Sequence, residues 1–370
     1  MVSPCYYPVK GGTETIVRNL AIALNRSGIK TDVMTFNMVK KWHPIWQGAR
    51  LEIDGLTVYK IPALNWLPIA HSNRLTLGIN LIPGKFRNIM SDYDIVHFNE
   101  VDFSFPLFSL PIKKAKIFHV HGINSDFFKK NCISRQLLTR LSDIYISISH
   151  RMTEDLIDLG IDARKVFYVP NGVDTNLFVP KGTKEENVLL FVGRLNQGKG
   201  LHVLLKALPL LKTSVKLVIV GPADWHQDYY KDLMQTIAVE NRAGRHKIIY
   251  LGPLEPSELV KWYQQASLFV LPSFAEGFPV TALEALSCET PVIATAVGGI
   301  PEVITSHETG LLVPLNNPSY LADSIQYLID NRNVCLQFGK EGRKRVIAKY
   351  SLDSSVKKLS AIYEQLSICR

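Results

Sequence analysis

Hydrophobic positions along the 370-residue chain fall into two alternating kinds of cluster. Short runs dense in β-branched residues predict strands, and stretches with apolar residues three and four apart predict helices. TDVMTF, DIVHF, KIFHVHG, IYISIS and KVFYVP are the strand-like runs of the first half. NVLLFVG, VKLVIVG, KIIYLG, SLFVLP, PVIATAV and GLLVPL are those of the second, with LHVLLKALPLL and VTALEALS among the helical stretches between them. Strands alternating with helices predict stacked βα units around parallel sheets.

The strands form two families, and the chain is about two ordinary domains long. Between them lies VPNGVDTNLFVPKGTKEEN, residues 169 to 187, with two prolines, an Asn-Gly pair and a charged tail. The expected domains are therefore 1–178 and 179–354. The last segment, about 355–370, places Val356, Leu359, Ile362, Tyr363 and Leu366 at helical spacing and asks for a surface to pack on. At the other end, VSPCYYP reads as a strand running into a loop with almost nothing before it, so the first strand is expected to be short.

A chain that is 46% hydrophobic and 20% charged is expected to be globular, with no disordered signature. Its five cysteines are odd in number and lack any CxxC spacing, which points to a reducing cytoplasm and to neither a disulfide framework nor a zinc site. No apolar run is long enough to span a membrane, and the N-terminus lacks a signal-peptide core. The net charge of +9 is concentrated in the first half. A solvated surface explains this, as does attraction to anionic headgroups or a phosphorylated acceptor. Nucleic acid is not expected as a partner, since no dense basic run with interleaved aromatics occurs.

Chemistry enters with FAEGFPVTALEAL, residues 274 to 286. Glu276 precedes a helix start and Glu284 falls inside the helix among apolar neighbours, positions that are costly for a carboxylate unless something binds it. Each can accept two hydroxyls of a polyol, while the amides of Val280 and Thr281 face a phosphate. In NVLLFVGRLNQGKGLHVLLKAL a strand, a glycine-bearing loop and a helix follow in order, with Arg194 and Lys199 on the loop, which suits a diphosphate. The loop is neither a Walker motif nor a dinucleotide fingerprint. GGTE at 11–14 opens a first-half helix with paired glycines, and KIFHVHG puts His119 and His121 on one face of a strand, His121 at its carboxyl end. No third ligand at metal spacing accompanies them, so no metal site is expected. Capped helices, salt bridges and core histidines account for each piece taken singly.

Taken together and in this order, GGTE, HVHG, PNGVD, GRLNQGKG, EGFPVTALEAL and GGIPEVI resemble the retaining glycosyltransferases of family 4, of the GT-B fold, over nearly the whole chain. The resemblance implies an α/β architecture of two Rossmann-like doubly wound domains facing a cleft, with the C-terminal helix crossing back to the first. It further implies a nucleotide-diphosphate sugar as donor, a hexose as the group transferred and no metal or other cofactor. Carried over, Arg194 and Lys199 hold the diphosphate, Glu284 the ribose hydroxyls and Glu276 those of the donor sugar. Gly277, Phe278, Val280 and Thr281 complete the donor site, Leu254 of LGPLEP lines the base, Gly12 lies under the diphosphate, and His121 touches the transferred sugar. Pro279 stands where many members have glycine.

The acceptor has no readable motif: HPIWQGARLEIDG and residues 62–88 are expected to be loops of the first domain. The mixed apolar and basic stretch after Ile61 suits a lipid-linked acceptor, with peripheral association at the inner face of a membrane, and equally an ordinary surface loop with core-facing residues; the acceptor stays open among a glycan, a lipid-linked molecule and a small molecule. Two other readings use the same residues. A glycosidase would employ Glu276 and Glu284 as an acid and nucleophile pair but leaves Arg194 and Lys199 without a role. A catalytically weak nucleotide-sugar-binding or scaffold protein of the same fold would keep them all.

Overall fold

The structure is a computed structural model that describes residues 1–3, 6, 12–36, 38–39, 43–44, 48–61, 88–99, 113–123, 125–130, 132–140, 142–223 and 227–368. The chain forms two compact units, Met1–Asn171 with Leu352–Arg370, and Gly172–Ser351. Each is a doubly wound α/β layer structure.

The first unit is built on an eight-stranded sheet. In chain order its strands are β1 (Val2–Ser3), β2 (Val33–Phe36), β5 (Ala49–Ile53), β6 (Leu56–Ile61), β7 (Ile95–Asn99), β8 (Ala115–Val120), β9 (Ile144–Ser147) and β10 (Val166–Tyr168); Met38–Val39 and His43–Pro44, β3 and β4, pair apart as a small ribbon. The spatial order is β10-β9-β8-β7-β1-β2-β6-β5. All neighbours run parallel except β5 and β6. The short β1 lies at the centre, where Val2 pairs with both Met34 and Phe98. Phe98, Phe118, Leu138 and Tyr145 are fully buried in the unit's core.

One expectation fails here. ARLEIDG is no loop: β5 and β6 form a hairpin across Asp54 and Gly55, whose φ angles of 56° and 75° are the left-handed pair that a tight two-residue turn requires. The stretch 62–87 lies outside the described residues.

The second unit carries a six-stranded, all-parallel sheet of β11 (Val188–Val192), β12 (Lys216–Val220), β13 (Lys247–Tyr250), β14 (Leu268–Leu271), β15 (Val292–Thr295) and β16 (Gly310–Val313). Every run read as a strand in this half is one. Their order is β13-β12-β11-β14-β15-β16, so the winding reverses between β11 and β14. Ligands of open parallel sheets bind outside the carboxyl ends of strands at such a reversal. Four of these strands, β11, β14, β15 and the inner part of β12, are buried throughout. That burial holds the loops leaving them to fixed starting points.

The division between units comes before 178, because residues 172–178 belong with the second. Val173 N–H donates to Tyr350 O at 2.9 Å, and the buried Phe178 packs edge-on against Tyr263 with ring centroids 5.9 Å apart. The C-terminal helix, Leu352–Ile368, starts before 355 and belongs to the first unit. Its Val356, Leu359, Ile362 and Tyr363 are buried, and Ser355 Oγ donates to Pro170 O at 2.8 Å. Among the described residues, no helix is long and apolar enough to cross a membrane.

Candidate active site

In the second unit, two loops leave the sheet on either side of the reversal. The first follows β11. Asn196 begins a short helical turn, its side chain accepting from the Lys199 amide at 3.1 Å, and Gly200 ends that turn at φ 70°. A Cβ on Gly200 would come within 1.9 Å of Pro272 O, so only glycine lets this loop lie against the second, which follows β14. Phe274 N–H adds a bond to Gly198 O at 2.8 Å.

This contact brings together two residues 77 apart in sequence: Lys199 Nζ lies 2.6 Å from Glu276 Oε1. The Glu276 side chain is only 9% exposed. The same oxygen accepts from Ser273 Oγ at 2.8 Å, with Ser273 fully buried. Among the described residues no donor meets Oε2, which is left to accept a hydroxyl. Arg194 is half-buried on the same loop as Lys199, and among the described residues no carboxylate pairs with it. The arrangement offers one committed cation, one free cation and a carboxylate with one oxygen held still.

After Glu276 the chain passes Gly277 and Pro279 into the helix Val280–Ser287. Phe278 is buried, its ring 5.7 Å from Tyr350, so the side chain anchors the loop and only its backbone remains for a ligand. Of the two amides expected to face a phosphate, Val280 N–H is already spent on Phe278 O at 3.0 Å. Thr281 N–H has no acceptor among the described residues.

Glu284 is held by Tyr263, whose hydroxyl donates to Oε2 at 2.8 Å. Burial pushes its carboxyl up to about 7 against the opposing pull of that hydrogen bond. Tyr263 O in turn accepts from Lys184 Nζ at 2.8 Å, and Lys184 also reaches Cys288 O and Thr290 Oγ1. Leu254 is half-buried beyond β13, at the same carboxyl end of the sheet.

In the first unit, Gly12 opens the helix Gly12–Arg26, while Gly11 lies outside the described residues. A Cβ at Gly12 would meet nothing within 4 Å, so packing does not demand glycine there. His121 follows β8. Its ring stacks on His119 with centroids 4.2 Å apart, its Nε2 lies 3.4 Å from Asn99 Oδ1, and burial lowers the imidazole to about 4. No group of three or more metal-ligating side chains occurs among the described residues.

Ser273, Tyr263, Lys184 and Asn196 are the contributors that the sequence pattern does not single out. Asn196 alone carried a local signal, an Asx residue three before Lys199 at the opening of a turn.

Fold and site together define a class, the two-domain glycosyltransferases of the GT-B fold. The backbone superposes on sucrose-phosphate synthase from Thermosynechococcus elongatus with a TM-score of 0.80, at 23% identity over 97% of this chain and 94% of that one. Anabaena HepE, solved in complex with UDP-glucose, gives 0.78 at 18% identity over 98% and 99%. Residues 10–177 match the model of Glycosyltransferase Family 4, and residues 174–345 match that of Glycosyl transferases group 1. The chain belongs to this family. A glycosyltransferase of Methanocaldococcus jannaschii without an assigned reaction is 28% identical over 98% of this chain and 97% of its own. D-inositol 3-phosphate glycosyltransferase of Corynebacterium aurimucosum is 29% identical over 87% and 83%.

Proposed function

We propose that the protein is a retaining, metal-independent glycosyltransferase that moves a hexose from a nucleoside diphosphate sugar to a glycan or lipid-linked acceptor. The observation that carries this reading is the Lys199–Glu276 pair across the reversal between β11 and β14, with Arg194 on the same loop as Lys199. A cation and a carboxylate in contact there suit a ligand that presents phosphate oxygens and sugar hydroxyls side by side.

In this reading Arg194 and Lys199 meet the charge that grows on the diphosphate as its bond to the sugar breaks, a preorganised electrostatic stabilisation. Glu276 Oε2 accepts from donor-sugar hydroxyls and Glu284 from the ribose. Gly12 and Thr281 are assigned to the diphosphate, Leu254 to the base, and His121 to the transferred sugar. The acceptor hydroxyl attacks on the face the diphosphate leaves, forming the new glycosidic bond, and its proton passes to a departing phosphate oxygen. Work at the cytoplasmic face of a membrane fits the basic first half of the sequence.

Uridine nucleotides head the donors to test, since Anabaena HepE was solved with UDP and with UDP-glucose. The test is a thermal-shift panel of nucleoside diphosphates and their hexose conjugates in EDTA, followed by turnover with candidate acceptors. Stabilisation by one base series that survives EDTA is expected. A folded protein shifted by none of them overturns the donor assignment, and binding without turnover on any glycan or lipid-linked acceptor would favour the scaffold reading.

A further inference from the structure

Three histidines of the first unit form a buried file, of which the proposed chemistry uses only His121 and leaves His97 and His119 without a role. His97 on β7 is 2% exposed and His119 on β8 is 1% exposed. Their ring centroids are 5.3 Å apart, and His119 stacks in turn on His121 at 4.2 Å and an interplanar angle of 27°. At the far end, the buried Tyr363 of the C-terminal helix places its hydroxyl 2.5 Å from His97 Nδ1, with its ring edge-on to the imidazole. The file therefore runs from that helix to the carboxyl end of β8.

Its composition is expensive. His97 Nε2, both nitrogens of His119 and His121 Nδ1 are buried with no hydrogen-bond partner among the described residues. Leaving such groups unmet costs the desolvation of each, and apolar rings of similar size would fill the space without that penalty. Phe98 and Phe118, next along the same two strands and so on the opposite face of the sheet, are fully buried without any such polar atom. Stability alone gives no reason for imidazoles here. Burial keeps all three in their neutral form, in which each ring has a defined donor and a defined acceptor nitrogen.

We propose that His119, backed by His97 and anchored by Tyr363, is a positioning residue that fixes the ring plane of His121 and so holds its Nε2 opposite Asn99 Oδ1. Stacking sets the plane, and Asn99 Oδ1 opposite Nε2 selects the tautomer that carries its proton on Nε2. This rests on the reading of His121 as a sugar-contacting residue.

The test is histidine-selective ¹⁵N labelling of the full chain, with long-range ¹H–¹⁵N correlation spectra and kinetics on Tyr363→Phe and His119→Leu. The expected result is a single Nε2–H tautomer for His121 in the parent and a redistributed one in both variants. In both, kcat should fall about tenfold, while affinity for UDP stays within twofold. Unchanged His121 signals in the two variants overturn the proposal, as does a fall in UDP affinity equal to the fall in kcat. His121→Ala separates the two layers: full turnover in that variant would sink the role of His121 at the sugar, while the spectral response would still report its positioning.

Discussion

A Cβ on Gly298 would lie 1.7 Å from the carbonyl oxygen of Glu276. Gly298 sits at φ 53°, and the next amide, Gly299 N–H, donates to the same carbonyl at 3.3 Å. The GGIPEVI segment is thus a backstop behind the backbone that carries the carboxylate. Gly298→Ala is expected to displace Glu276 and lower kcat/KM by about 100-fold, the scale on which a 1 Å misplacement acts. Steady-state kinetics check it, and an unchanged kcat/KM in a folded variant would remove Glu276 from the sugar site.

The ion pair predicts how its two members separate in binding experiments. Lys199→Ala removes the cation assigned to the diphosphate and strands a nearly buried carboxylate, so it should abolish turnover and weaken free UDP together. Glu276→Gln frees Lys199, so UDP affinity should hold or tighten slightly while affinity for the sugar nucleotide falls. Calorimetric titration of both ligands reads this. Equal weakening of the two by Glu276→Gln would show that the carboxylate does not meet the sugar.

Glu284 carries a pH signature. Its carboxyl stands at about 7 in the fold against an ordinary 4.5, with burial as the main cause. Folding therefore disfavours the ionised form: the penalty is absent below about pH 4.5, grows as pH rises to about 7, and is constant above that. Glu284→Gln should stabilise the protein by on the order of 2 kcal/mol at pH 8 and by little at pH 4.5. In the proposed reading the ionised form accepts ribose hydroxyls, so parent donor affinity should rise through pH 7, and in the variant that rise should flatten. Thermal melts and titrations across this range test both.

Gly12 separates folding from function more cleanly than any other glycine of the site. Since a Cβ there meets nothing within 4 Å and Gly12 is exposed, Gly12→Leu should leave the melting temperature within about 2 °C, as expected of an exposed substitution away from packed groups. It should nonetheless lower kcat/KM at least tenfold by filling the space assigned to the diphosphate. A variant with parental kinetics would show that the first helix start takes no part in donor binding.

The β-branched runs of the second half were legible because its central strands β11, β14 and β15 are buried on both faces and read as unbroken apolar stretches. The β5–β6 hairpin was missed although Asp54-Gly55 between alternating residues is a strong local turn signal. Within the site, Glu276, Lys199 and Arg194 were recognisable from their motifs. The bond between Glu276 and Lys199 was not, because it depends on a close approach of two backbones at Gly200 and Pro272. Tyr263 reads in sequence as one more apolar position of its helix, and its hold on Glu284 exists only once that helix packs on the next. Phe278 and Val280 were assigned to the ligand by motif, but the fold uses the ring of the first and the amide of the second for itself.

The loop carrying Glu276 is pinned at Pro272 by Gly200 and at its own carbonyl by Gly298, in both cases through main-chain atoms. Its path is thus set by main-chain contacts at both points, with the buried Phe278 ring as a further anchor just after them. If Glu276 meets the donor sugar as proposed, positions 275 and 277 are where substitutions should leave the carboxylate on its mark, whereas Phe274 packs on the core and stacks on His202 with ring centroids 5.6 Å apart.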